Sequence, residues 1–314
     1  MGKDFLVSVI IPTYNRAHLL GETLQSVLNQ SYEFWECIIV DDGSTDNTRE
    51  EVLKFCNLDN RFSYYVRPDS YLKGANTCRK YGFELSKGLY INWLDSDDVL
   101  INDKLEKQIR VLEKQDKSVC VSNAEFFDQI PNDCPENLWS DKLIVDNVKD
   151  ALVLQKVRWA TGALLWKRDV VHINNWKEGL QGGQEWLFNI LSAFYLQESD
   201  FCFLDETVLF VRNSNESITR DASLVFRFNN YLLARILLLE HLFDVRKPEF
   251  YKYFNRTYLF SLKYIKLLAS KGRFKFIFRL SRLIYKYSKP FFLKFWFGLF
   301  FYAIFKKDYF LKGI

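Results

Sequence analysis

YINWLDSDDVL, residues Tyr90–Leu100, runs from five mostly apolar residues directly into Asp95, Asp97 and Asp98, three acids within four positions. Carboxylates this close repel one another. A helix N-terminus or a bound cation would offset that charge.

Other short apolar runs also end in polar residues. Val7–Ile11 (VSVII) is closed by Pro12 and leads into Thr13-Tyr14-Asn15-Arg16, and Cys37–Val40 (CIIV) ends at Asp41-Asp42-Gly43. The first two read as buried strands, and Phe62–Val66 and Leu89–Leu94 as a third and a fourth strand. Between the first two, Leu20, Leu24, Val27 and Leu28 fall on one helical face, which Asn15 is placed to cap. Thr48 with Glu51 fits a capping box for a second helix, and a third is expected around Asn76 to Ser86. Alternating strands and helices imply an α/β fold with a mixed, mainly parallel sheet flanked by helices. Ligands of such sheets lie outside the carboxyl ends of the strands, so the three polar strand ends should converge.

After Asp98 the spacing predicts a helix over Lys104–Gln115 and a strand over Ser118–Phe126. A polar loop spans Asp128–Lys142. Further strands are expected at Trp159–Trp166 and Thr207–Val211, with a helix over Leu187–Leu196. From Leu224 onward the chain is helical, aromatic and basic. The domains expected are therefore 1–223, catalytic, and 224–314, helical.

With 314 residues, 48% of them hydrophobic, the chain can bury a substantial core. Its six cysteines form no CxxC pair, which suits free thiols in a reducing compartment. Only three histidines occur, so a His-rich metal site is excluded and a bound metal would be held by oxygen, as magnesium or manganese is. The first residues lack the apolar length of a signal peptide, and a cytoplasmic location is expected.

Neither GxGxxG nor GxxxxGK[ST] is present, so a nucleotide would have to be held by acids, a metal and stacking. Asp42 could accept from a base N–H and Tyr14 could stack on the base. Asp95 and Asp97 could reach a ribose and a divalent cation. Taken alone, Asp41-Asp42-Gly43 also reads as a plain turn, and Asp95–Asp98 as a helix N-cap cluster.

VSVIIPTYNR, SVLNQSY, CIIVDDGSTDNT and GLYINWLDSDD, in this order and spacing, resemble the inverting glycosyltransferases of family 2, which have the GT-A (Rossmann-like) fold. The resemblance covers roughly Val7 to Arg212. It implies that Pro12, Tyr14 and Arg16 line a nucleotide pocket and that Asp42 holds the base. Asp95 and Asp97 would form the DxD pair, Asp97 being the direct ligand of Mn2+ or Mg2+ and Asp98 a support. In the glycine-led run before the third helix, Arg79 and Gly82 match the family pattern and Lys80 departs from it. Lys73 and Arg79 are the candidates for diphosphate contact. The family's Glu-Asp pair appears here as Gln184-Glu185, which leaves Glu185 as the catalytic base. A histidine common after Arg212 is missing, with Asn213 or Asn215 in its region.

Net charge is +4, but residues 246–314 hold 17 Lys/Arg against two acids, so this tail carries +15 and the first 245 residues −11. Lys275, Arg279, Arg282, Lys286 and Lys289 make one helical stripe, as suits an anionic bilayer surface. Pro290–Phe305 is too short for a full span and reads as an interfacial or re-entrant segment, or as a helix packed on protein. The acidic body argues against nucleic acid as partner.

The function expected is transfer of a sugar from a nucleotide sugar, UDP-linked, to a hydroxyl of a lipid-linked glycan or other cell-envelope precursor. The work would be done by a cytoplasmic enzyme peripherally attached to the membrane's inner face. A catalytically silent scaffold on the same fold, or another nucleotide-sugar-dependent transferase, is the alternative.

Overall fold

The structure is a computed structural model and describes residues 5–128, 137–213, 223–306 and Leu311. Its strands are β1 (Val7–Thr13), β2 (Trp35–Asp41), β3 (Phe62–Val66), β4 (Tyr90–Trp93), β5 (Val99–Leu100), β6 (Val119–Phe127), β7 (Leu164–Lys167) and β8 (Phe201–Arg212). They form one sheet in the order β3-β2-β1-β4-β7-β6-β8-β5. β1 is parallel to both β2 and β4, whereas β7 is antiparallel to β4 and β6. Mixed and mainly parallel, the sheet is the one expected.

Helices α1 (Ala17–Leu28), α2 (Thr48–Leu58), α3 (Ala75–Leu85), α4 (Lys104–Gln115), α5 (Val148–Val153) and α6 (Gln184–Ala193) accompany the sheet. Leu20, Leu24 and Val27 of α1 and Val52 of α2 enter the main core with Val7, Val9, Ile11, Cys37 and Ile39. α3 lies against β1 and β2, and its approach requires Gly82: a Cβ there would meet Ile10 Cγ2 at 2.5 Å. Trp159–Trp166 is a strand only in its last residues. Thr161–Ala163 instead forms a 3-10 turn, held as Asn92 Nδ2 donates to the carbonyls of Gly162 (3.0 Å) and Leu164 (2.8 Å).

Among the described residues the chain continues with helices α7 (Leu224–Val245), α8 (Lys247–Ser270), α9 (Lys275–Tyr287) and α10 (Lys289–Phe305). The chain divides into two compact units. One comprises Met1–Gly179 and Gln184–Ser214, the other Leu180–Gly183 and Asn215–Ile314. Within the second, Phe254, Tyr258, Leu280, Ile284, Phe291 and Phe295 are buried. Arg279 makes two hydrogen bonds to Glu240 and Lys286 lies over the Phe243 ring, so the basic stripe read from the sequence is partly engaged with α7. No helix among the described residues is long and apolar enough to cross a membrane.

Candidate active site

Parallel pairing aligns Thr13 with Asp41 and Ile10 with Trp93, which brings the three polar strand ends to one edge of the sheet. The first two loops are stitched together. Asn15, in the left-handed region at φ 50°, accepts from the Thr45 N–H at 2.8 Å. It therefore does not cap α1. That task falls to Asp46, which accepts from the Ala17 N–H at 3.1 Å across the loops. Thr48 is the first residue of α2 rather than its cap; its hydroxyl accepts from the Arg16 N–H at 2.9 Å. A local capping pattern has been used for a long-range contact, which spacing does not encode.

Asp41 and Asp42 separate in role. Asp41 closes the turn, accepting from the Gly43 and Ser44 N–H groups at 3.0 and 2.7 Å and from the Tyr64 hydroxyl at 2.7 Å. Asp42 is buried and accepts from Arg67 Nε at 2.5 Å. Arg67 carried no signal in the sequence; it reaches Asp42 because it directly follows β3. Pro12 is buried in β1 opposite Val40. Tyr14, half-buried, lies under Lys73, whose Nζ is 4.0 Å from the ring centroid.

On the third strand end, Asp95 pairs with Arg79 Nη2 at 2.5 Å. Arg79 is buried and also donates from Nη1 to Asn76 (3.1 Å) and Gln184 (3.2 Å), with Trp176 beneath its guanidinium at 4.5 Å. Its Nη groups are thus committed to protein partners. Asp98 is buried and accepts from the Arg212 N–H at 3.1 Å. Arg212 also donates to the Asp97 carbonyl at 3.1 Å and binds Glu22.

Asp97 is half-buried, with Arg16 Nε 4.0 Å from its carboxylate. Burial, with the charge of Asp95 second, pushes its carboxyl above the usual range, and Arg16 opposes this. Its negative charge is only partly compensated by protein. Among the described residues no group of three or more His, Cys, Asp or Glu is set to hold a metal. The donor set fits a hard cation held by one or two carboxylates, with the remaining positions open to phosphate and water.

Glu185 lies in the first turn of α6, after Gly183 in the left-handed region at φ 71°. Burial, with Asp95 next, pushes its carboxyl up to about 7, while Arg79 and Thr161 oppose the shift. A carboxyl balanced near neutrality suits a general base. Asn213 donates to Asp128 at 2.9 Å, and Asn215 lies outside the described residues, as does most of the loop Asp128–Lys142.

A mainly parallel sheet with acids at three strand ends defines a GT-A-type α/β protein. The fold matches S. aureus TarS 1–349, solved in complex with UDP-GlcNAc, with a TM-score of 0.70 at 18% identity over 98% of this chain and 89% of that one. The chain belongs to glycosyl transferase family 2, whose family model matches residues 8–167. It is 40% identical over 124 residues to the Escherichia coli UDP-Glc:alpha-D-GlcNAc-diphosphoundecaprenol beta-1,3-glucosyltransferase WfgD, covering 40% of this chain and 47% of that protein. It is 35% identical over 166 residues to the Bacillus subtilis putative teichuronic acid biosynthesis glycosyltransferase TuaG, covering 51% and 65%. The chain thus spans about half to two thirds of the length of these relatives.

Proposed function

We propose that the chain is a metal-dependent inverting glycosyltransferase. It moves a sugar from a nucleotide sugar, linked to UDP, onto a hydroxyl of a lipid-linked glycan or other cell-envelope precursor. What carries this is the Arg79 bridge: one buried side chain ties Asp95, on the donor side, to Gln184, the neighbour of Glu185. Donor-binding acids and a base are thereby held together. The names of WfgD and TuaG support an envelope acceptor, and WfgD's supports UDP.

Asp42, with Arg67 beside it, accepts from the base, while Tyr14 and Pro12 line its cavity. Lys73 and Arg16 face the diphosphate. Arg79 positions Asp95 rather than gripping phosphate through its Nη groups. Asp97 and Asp95 would hold the divalent cation, which when bound would supply Lewis-acid stabilisation of the departing diphosphate. Glu185 takes the proton of the acceptor hydroxyl as its oxygen bonds to the anomeric carbon. The bond from that carbon to the diphosphate breaks on the opposite face, which inverts the centre. The +15 charge of residues 246–314 and a lipid-linked acceptor support a position at the inner face of the cell membrane.

The deciding experiment is a panel of nucleotide sugars with manganese or magnesium, scored by hydrolysis and by thermal stabilisation. Turnover of none, with no stabilisation, would leave a silent scaffold.

A further inference from the structure

Helix α10, KPFFLKFWFGLFFYAIF, is apolar around nearly its whole circumference, and its side chains divide into a buried set and an exposed one. Phe291, Phe295, Gly298 and Leu299 are buried, with Phe291 and Phe295 edge-on to Tyr258 of α8. Leu293, Phe297, Phe300 and Ile304 follow a 4-3-4 spacing, which sets them on one face. They are 69%, 55%, 65% and 54% exposed. Two exposed side chains of α9 border this face, Phe278 against Trp296 at 5.2 Å and Tyr285 against Phe292 at 5.5 Å. A contiguous set of large apolar groups marks an interaction surface.

Its charge selects the occupant. From Phe250 to Lys306 the chain has 13 Lys/Arg and no acid. Arg279 and Lys286 are engaged inside the helical unit, but Lys275, Arg282, Lys289, Lys294 and Lys306 are exposed. A second copy of this chain pairing through the same face would bring like charges together, which opposes association. An anionic bilayer matches both properties: aromatic and aliphatic side chains enter the acyl boundary while lysines reach the phosphates. At 17 residues, about 25 Å, the helix would lie along the surface.

We propose that the Leu293/Phe297/Phe300/Ile304 face of α10, bordered by Phe278 and Tyr285, is where the chain lies on an anionic bilayer. The proposal deepens the functional reading above and rests on it for the acceptor's location, so its test reads vesicle binding and donor turnover separately. The full-length chain is sedimented with phosphatidylglycerol/phosphatidylcholine vesicles and with phosphatidylcholine alone. We expect binding to the first to be about tenfold tighter or more, and to weaken with salt. The double variant Phe297→Glu/Phe300→Glu should lose about tenfold or more of that binding and keep wild-type donor hydrolysis in solution. The single Phe300→Gln, with a smaller loss, serves if the double variant does not fold. Three results overturn the proposal: no binding to anionic vesicles, undiminished binding by the folded variants, or a dimer that the variants dissociate in the absence of vesicle binding. Vesicle binding without donor turnover would sink the functional reading and leave the docking face standing.

Discussion

Arg79 and Asp95 form a 2.5 Å ion pair in which the arginine is buried and the acid half-exposed. The same guanidinium holds Gln184, so its planar fork spans the strand end and the first turn of α6. Lysine offers a point charge and cannot span both. Arg79→Lys should lower kcat/KM about 100-fold, the scale of an ångström-level misplacement. Initial rates settle it; wild-type rates would show that the fork is dispensable.

Asp97 and Asp98 should respond differently to the same change. Asp97→Asn removes a charged ligand of the proposed cation and should cost about 10³-fold in turnover, with weakened dependence on manganese. Asp98→Asn keeps an acceptor for the Arg212 N–H and should stay within about tenfold of wild type. Metal titrations of both variants test the distinction, and EDTA should abolish wild-type transfer.

The pH profile should report Glu185. Its carboxyl, pushed up to about 7, is active as a base only when deprotonated. The log of the rate should therefore rise with unit slope below about 7 and flatten above it. Glu185→Gln should remove the ascending limb and about 10³-fold of the rate. An unshifted profile in the variant would assign the limb elsewhere.

Lys104 is buried with its ammonium nitrogen 2.7 Å from Gln108 Oε1, and desolvation lowers its pKa to about 7. Between about 7 and the unfolded value the unfolded chain binds the extra proton, so this residue makes stability rise with pH across that window. Lys104→Met should flatten that slope and raise stability at neutral pH. Melting curves of both proteins across the window measure the difference.

Asn230 of α7 accepts from the Gln181 N–H at 2.9 Å, and a Cβ on Gly182 would meet the Asn230 Cβ at 3.1 Å. Gln181 lies four residues before Glu185 in the chain. Asn230→Ala should lower kcat about tenfold, with little change in donor KM, by loosening that lead-in. A pure KM effect would count against this role.

Much of the proposed donor side is legible in the sequence itself. VSVII, CIIV and YINW are apolar runs closed by polar residues, and such runs in alternation with amphipathic helices leave few topologies open. Asp42, Asp95 and Asp97 are each marked by their place after a strand, whereas Glu185 is marked only by the resemblance to the family. Their partners are not legible. Arg67 on Asp42, Asp46 on the Ala17 N–H and Trp176 under Arg79 join residues between 25 and 97 positions apart.

Periodicity and strand-end chemistry, both local properties, determined the α/β class and the location of the acids. Tertiary structure decided which acids are engaged: Asp41 is consumed by its turn and Asp98 by the Arg212 N–H, while Asp97 keeps an under-compensated charge. It also turned the basic stripe of α9 partly onto α7 and left Leu293, Phe297, Phe300 and Ile304 of α10 more than half exposed. These outcomes depend on burial and on partners distant in the chain, which no spacing along the sequence records.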